Sequence, residues 1–537
     1  MHKKEGSILI FFYLVLIVFS ILLANFLTRS IVENRAALRQ RELLQAYYLA
    51  EAGINEVKRG LFDTFRQIYP HPTPNDFSWF DTLPDPDKYT LPVNATLSTV
   101  RGGRYTVNIT NVTSLSEGRD VTFISEAWVG NTSKRITAVV RYGLRPSRVF
   151  DYAYFINNYG WFWGGGIRSQ GDIRSNGDFS FWDNPTVNGD IYASVNPELG
   201  ANGDISGNSR HDDISYYRNH ADSTARPTNP TADEEGCEYP DGYDGNSQRF
   251  PHREMLNMPY LGDLNYYKCL AISQGGAIKQ GGVTLVNGVL DDNIVLIGTE
   301  DNPIEVNGPV VVTGDVLIKG VVTGQGTIYS GRNTHIIGDI IYKNPPAWPK
   351  PDTDPDTTDA QNAEKDFLGL SAKGNIIVGD YTRNDWQTVI EDYIKPPFTK
   401  AYKVDPSDSD IGYVQYYVGD DPYFNGDYTA FDGGEKIDGE KRRFYESSFS
   451  DSYVHSIAEP SNKIHRVDAV TYTNHLFSGR VGSFTMNGSI VARDEAIVYS
   501  GSITMNYDIR VKKGVERYNF YLPRELDIPR TRYMEEN

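Results

Sequence analysis

The stretch VVVTGDVLIKGVVTGQGTIYSG, Val310 to Gly331, sets the expectation for most of this chain. Very short β-branched runs alternate with glycines at steps of roughly 5–8 residues, a pattern that suits a parallel β-helix whose coils turn tight corners and bury stacked aliphatics. Glycine supplies the positive φ that corners need, and a neighbouring Asp or Asn side chain can hydrogen-bond the turn backbone. Outward from this stretch, a Gly-Asp-hydrophobic unit recurs as Gly171-Asp172-Ile173, Gly177-Asp178-Phe179, Gly189-Asp190-Ile191 and Gly203-Asp204-Ile205. It returns as Gly314-Asp315-Val316, Gly338-Asp339-Ile340 and, with Asn for Asp, Gly374-Asn375-Ile376. The block from Ser483 to Val511 has the same character and reads as the last coils. Residues 151–537 are therefore expected to form a large right-handed β-solenoid with inserts near 206–260, 345–366 and 380–470.

Composition agrees with a mainly β chain. Its 49 glycines and 36 tyrosines favour many turns and aromatic-rich strands. A length of 537 residues exceeds one ordinary domain. The formal net charge of −18 repels phosphate backbones, so nucleic acid is not an expected partner. Cys237 and Cys269 lack zinc-site spacing, and they either bridge or pack as small apolar thiols.

The N-terminal end carries the second strong signal. ILIFFYLVLIVFSILLANFL, Ile8 to Leu27, is twenty residues without a charge, enough helix to cross a bilayer core of about 30 Å. It exceeds the apolar stretch of a cleaved secretory signal and runs directly into a charged helix, so it reads as a retained anchor. Lys3 and Lys4 precede it, while Arg29, Arg35, Arg39 and Arg41 follow. That count alone would keep the C-terminal part inside, although long domains translocate regardless of flanking charge. Val32, Ala36, Leu43, Ala46, Ala50, Ile54, Val57 and Leu61 continue one apolar stripe. Residues 1–61 are thus expected to be an anchor and helical stem. Three alternating runs, Arg104 to Val112, Val121 to Val129 and Lys134 to Leu144, predict an antiparallel sheet on the stem, a small α/β head over 62–150.

A short basic leader, Gly6, an apolar run and then QAYYLAEAGINEVKRGL, Gln45 to Leu61, resemble the N-terminal region of PilX-type minor pilins. In that family the Ala-Glu-Ala-Gly unit, here Ala50, Glu51, Ala52 and Gly53, lies on the long pilin helix. The resemblance covers roughly the first 60 residues. It implies prepilin-peptidase cleavage between Gly6 and Ser7, packing against other pilin-like subunits through the helix, and a globular part outside the cytoplasm, at the cell surface, in the periplasm or on a pilus. Major pilins carry a Glu five residues into the mature chain, where this sequence has Phe11. Pro303 to Tyr342, Leu368 to Val378 and the closing block resemble uncharacterised bacterial proteins that join a PilX-like N terminus to a Gly-rich β domain with no assigned activity.

Catalysis is not expected. The Gly-Asp carboxylates share a place beside corner glycines, which argues for turn chemistry over a glycosidase pair. There is no Gly-x-Ser-x-Gly elbow, no His-Glu-x-x-His and no phosphate-binding Gly-Lys-Ser/Thr, so no cofactor is expected. Asp352, Asp354 and Asp356 have a spacing that calcium could use, but the loop lacks an EF-hand glycine and bidentate Glu and reads first as a solvated acidic loop. Trp161, Trp163 and Trp182, with Phe162 and Phe181, read first as the cover of a solenoid end. Stacking on the sugar faces of a surface or carbohydrate ligand is the alternative. The function expected is surface display for adhesion or pilus assembly. A membrane-tethered carbohydrate-active enzyme or a self-assembling scaffold are the other readings.

Overall fold

The computed structural model describes residues 5–68, 94–97, 103–115, 118–197, 199–210, 249–259, 261, 264–346, 362–390, 435–437, 440–442, 445–511, 520–527 and 529–536. The chain divides into two compact units. The first takes Met1–Tyr69, Ser78–Leu144 and Leu526–Asn537, and the second Pro70–Phe77 and Arg145–Glu525.

In the first unit a single helix α1, Glu5–Ile68, runs for 64 residues, about 96 Å at 1.5 Å per residue. No proline interrupts it, and Leu, Ala, Glu and Arg, all good helix formers, fill its second half. It extends seven residues beyond the Leu61 boundary read from the apolar stripe. Four antiparallel strands follow: β1 (Asn94–Leu97), β2 (Gly103–Leu115), β3 (Gly118–Val129) and β4 (Thr132–Pro146). Gly130 at φ +59° opens the two-residue β3–β4 turn, a position that requires the left-handed region. Alternate residues of β2 to β4 are buried, including Tyr105, Val107, Val121, Phe123, Ile136, Ala138 and Val140. They meet Ala46, Ala50, Ile54, Val57 and Leu61 of α1, a one-sided antiparallel sheet with its apolar face on a helix. Val32 and Ala36 are exposed, so the packed stripe begins at Leu43, eleven residues later than its sequence pattern proposed. A further correction concerns the C terminus. Arg530–Glu536 pairs antiparallel with β4, so the last residues complete the first unit and do not belong to a solenoid spanning 151–537.

The second unit is a solenoid-like, mainly parallel sheet whose strands stack in three columns, with register shifts at Tyr192/Ser194 and Ile318/Gly320. The first column includes Gln325–Ser330, Phe367–Ala372 and the C-terminal half of Arg466–Thr473. The second includes Ile294–Gly298, the start of Val316–Thr323, Ile376–Val378 and Leu476–Arg480. The third includes Ser483–Gly488 paired with Ser502–Tyr507. Valine, isoleucine and leucine from all three, among them Val310, Ile318, Ile328, Ile336, Leu370 and Ile376, point inward and are fully buried. Gly320, at φ +97°, marks why glycine recurs at the corners: a Cβ there would lie 2.0 Å from the Gly298 carbonyl of the neighbouring coil. The Asp and Asn side chains at these corners bond the backbone of an adjacent coil, not that of their own turn. Asn293 Oδ1 accepts from the Asp315 backbone N–H at 2.7 Å, Asp315 Oδ1 from Asn333 at 3.0 Å, and Asn333 Oδ1 from Asn375 at 2.9 Å. Asp178 and Asp339 each accept two such backbone donors.

Stack order is not chain order. Tyr154–Ile156 pairs in parallel with Ile490 to Ala492, and Ile167–Gln170 with Ile503 to Asn506. The first coil in sequence therefore seats against Ser483 to Tyr507, which is an internal coil and not the end that the closing block suggested. Among the described residues, one end of the first column is Arg249–Arg253. At the opposite end of the stack lies the antiparallel hairpin Ala277–Gln280 and Val283–Asn287. The chain returns from one to the other along the first column: Asn176 Nδ2 donates to the Leu256 carbonyl at 2.7 Å, Tyr472 to Pro259, and Tyr267 stacks on Tyr329 at 4.3 Å.

A second core lies outside the second column. Leu317, Ile337, Ile377 and Leu476 are covered by Tyr381, Trp386, Ile390, Tyr445 and Val454 from the insert near 380–470. His335 is buried there, its ring 4.9 Å from Tyr381, and among the described residues neither ring nitrogen has a hydrogen-bond partner. Burial holds its imidazole down to about 4; Asp315 opposes that shift and Arg332 adds to it.

Two predictions follow from this packing. Ile490 sits at the junction of the first and last coils, 3% exposed, and Ile490→Ala should cost about 2–5 kcal/mol in urea denaturation; a loss below about 1 kcal/mol would contradict the packed junction. For His335 the unfolded chain takes up a proton from pH 6.5 downward, whereas the folded imidazole stays neutral to about 4. Stability is thus complete above that window and falls as pH drops through it, by about 3 kcal/mol at its foot. His335→Leu should flatten this part of the pH–stability curve, and an unchanged slope would rule the assignment out.

Candidate functional site

The stem is built from its apolar end. Every side chain from Ile8 to Arg41 except Ser30 is exposed, which leaves roughly 20 residues of large apolar side chains without protein cover, the length of one bilayer crossing. Within this span, Ser20 and Thr28 donate to the Leu16 and Ala24 carbonyls, so their hydroxyls need no water. Among the described residues one helix is long and apolar enough to cross a membrane, and Gly6 and Ser7 lie in its first turn.

Beyond Arg41 the helix gains a partner. Thr132 donates to Glu42 at 3.1 Å, beside the Gly130 turn. In the Ala-Glu-Ala-Gly unit, Ala50 and Gly53 face the sheet, Glu51 is half-buried and Ala52 exposed. Gly53 has a steric reason: a Cβ there would lie 2.6 Å from the Tyr105 ring and 3.0 Å from Val107. Tyr105 donates to Glu56, one turn on. Burial, with the Glu56 hydrogen bond and charge adding, pushes the Tyr105 phenol up to about 12. The glycine therefore lets helix and sheet close to a distance that no larger side chain allows.

The aromatic candidates separate in space. Gly160–Trp163 and Phe179–Trp182 pair in parallel, Phe162 beside Phe181 and Trp163 beside Trp182. Phe162, Phe179 and Phe181 point inward and pack edge-to-face or stacked. Their coils have neighbours on both sides, so they do not cover an open end as the sequence suggested. Trp161 is partly buried against the outer core. Trp163 and Trp182 stand outward, 47% and 51% exposed. Asp183 and Asn184, which follow, both hold positive φ, 61° and 54°, a cost that a non-glycine pair seldom carries without a purpose.

Sequence reading missed a polar cavity of about 370 Å³ at the same corner on neighbouring coils, lined by residues that include Arg383, Asp385, Ser461, Asn462, Arg480 and Ser500. These residues are far apart in sequence, and no motif joins them. Among the described residues no cluster of three or more His, Cys, Asp or Glu converges on one point. Asp352, Asp354, Asp356 and Cys237 lie outside the described residues; Cys269 is buried on the helix Asn265–Gln274.

No family model and no curated protein matches the sequence. Among solved structures, the chain is similar to the competence-associated pilin ComZ from Thermus thermophilus, at 13% identity over 92% of this chain and 98% of that one, with a TM-score of 0.30. That level of likeness transfers neither fold nor role.

The helix–sheet contact gives a direct test. Gly53→Leu should overpack the Tyr105 contact and lower the stability of the detergent-solubilised chain by about 1–3 kcal/mol in urea titration, with Gly53→Ala losing less. Wild-type stability in Gly53→Leu would mean that the close approach is not needed.

Proposed function

We propose that this chain is a membrane-anchored, pilin-like structural protein that displays a right-handed parallel β-solenoid outside the cytoplasm for adhesion or pilus assembly. One observation carries the reading: α1 continues unbroken from an uncovered apolar segment into a segment packed on a β-sheet. An apolar surface of that size must be covered, and lipid or neighbouring helices are the media that suit it. Gly6 and Ser7 flank the expected prepilin-peptidase cut, and the Ala50 to Gly53 unit sits where the helix must approach its sheet most closely. Other pilin-like subunits would pack along the exposed helix. The solenoid would meet its partner through its outer face, with no catalytic step and no cofactor.

A tethered carbohydrate-active enzyme is less well supported. The carboxylates of Asp178, Asp315 and Asp339 accept from the backbone of the next coil and so are engaged in holding the stack together.

The decisive measurement is mass spectrometry of the mature N terminus in cells with and without prepilin peptidase, paired with protease shaving of intact cells. A chain that begins at Ser7 only when the peptidase is present, with the solenoid cleaved from outside, is expected. An intact Met1 in both strains, or a solenoid protected in intact cells, would overturn the pilin-like display.

A further inference from the structure

The cavity and the tryptophan pair lie along one corner of the solenoid. Arg480 ends Leu476–Arg480 and is in register with Tyr499, beside Ser500. The Ser500–Ser502 turn then meets the next coil, where the Ile503 backbone N–H donates to the Gly166 carbonyl at 3.1 Å and a Cβ on Gly166 would lie 3.0 Å from the Gly501 carbonyl. Gly164, immediately after Trp163, donates to the Trp182 carbonyl at 3.0 Å. Arg480, Ser500, Trp163 and Trp182 therefore occupy successive coils, and at about 4.8 Å per strand the track is about 14 Å long.

Its chemistry changes along that length. At the cavity end two guanidinium groups share one carboxylate: Arg383 lies 3.4 Å and Arg480 3.7 Å from Asp385. Both side-chain separations exceed the roughly 2.7–2.9 Å of a tight charge-assisted bond; Arg480 also donates to the Asp385 backbone carbonyl, and all three side chains are at least 30% exposed, so an anion from solution can reach them. The Ser461 hydroxyl lines the same cavity, enclosed and without a hydrogen-bond partner among the described residues. At the other end the two indoles offer flat apolar faces with polar tips. The coil spacing is close to that of successive pyranose units.

From this juxtaposition we infer that the corner from Arg383, Ser461 and Arg480 to Trp163 and Trp182 binds an acidic glycan, the arginines and Ser461 taking a uronate carboxylate and the indoles stacking on the following rings. The inference deepens the display reading and rests on it for access to such a glycan. The strongly acidic chain repels polyanions in general, so recognition depends on the local cation pair and weakens with added salt.

The test uses the full chain in detergent micelles, titrated calorimetrically with a short oligogalacturonate and with its carboxyl-reduced neutral counterpart. Wild type should bind the acidic oligomer at least about tenfold more tightly, and less tightly at high salt. Arg383→Gln with Arg480→Gln should abolish that preference. Trp163→Ala with Trp182→Ala, both on exposed side chains, should weaken both ligands by about tenfold or more. Absence of wild-type binding, equal affinity for the two oligomers, or unchanged binding in the tryptophan variant with its circular dichroism intact would each overturn the glycan site. None of these results touches membrane topology, and a misplaced solenoid would leave them unchanged.

Discussion

A parallel strand has two hydrogen-bonding edges, and in a stack of coils each edge must be met by a neighbour or hidden. In this chain the requirement is met by bringing the first coil of the sequence, from Tyr154, onto the coil from Ser483 to Tyr507. Without that pairing, two long, flat, hydrophobic edges would face solvent, the template for aggregation. With it, the stack among the described residues runs from the first-column strand Arg249–Arg253 on one side to an antiparallel hairpin on the other. A polar ladder crosses the same region: Asn487 donates to Asp468 and Asn506 to Asn487, with Asn506 in register with Gln170. Side-chain amides stacked in this way fix register, because a slip of one residue would bury the donors without acceptors.

Much of this architecture is local and was legible in the sequence. The long helix announces itself through uninterrupted helix formers, and the three head strands through period-two alternation. The Gly-Asp units read as corner chemistry, but their side chains bond the backbone of a neighbouring coil, 18 residues away for Asp315 and Asn333 and 126 for Asp339 and His465, so the partner itself was not legible. What could not be read depends on distance along the chain. Nothing near Tyr154 signals that its partner lies more than 300 residues away, and nothing near Arg530 signals a return to β4. The aromatics show the same division. Alternation in Gly160–Trp163 separates Phe162 from Trp161 and Trp163, but whether the outward residues are covered is decided by an insert from elsewhere. Trp161 is partly covered and Trp163 is not. His335 likewise belongs to an outward-facing position, and only the tertiary cover makes it an interior residue.

The two units solve different mechanical problems. In the first, a glycine at position 53 draws a helix against a sheet, while the 34 residues from Ile8 to Arg41 gain almost no contact with the chain itself. Such a helix is stable in isolation only where something else buries it, so its sequence is written for a lipid or a neighbouring helix. In the second, rigidity comes from repetition: identical corner bonds and a continuous aliphatic interior fix side chains on successive coils at regular spacing. Regular spacing of that kind suits recognition of a repeating ligand, where loops would present the same groups less uniformly.

The joining of first and last coils also governs how the protein can be made. A chain that emerges N-terminus first holds the strands from Tyr154 to Ser206 for some 280 residues before Ser483 to Tyr507 arrive to seat them, and β4 waits longer still for Arg530–Glu536. Folding of this kind is dominated by remote contacts and is slow. It also ties each unit to late-arriving chain: the stack waits for Ser483 to Tyr507 and the sheet of the first unit for Arg530–Glu536, so loss of either segment removes a different pairing.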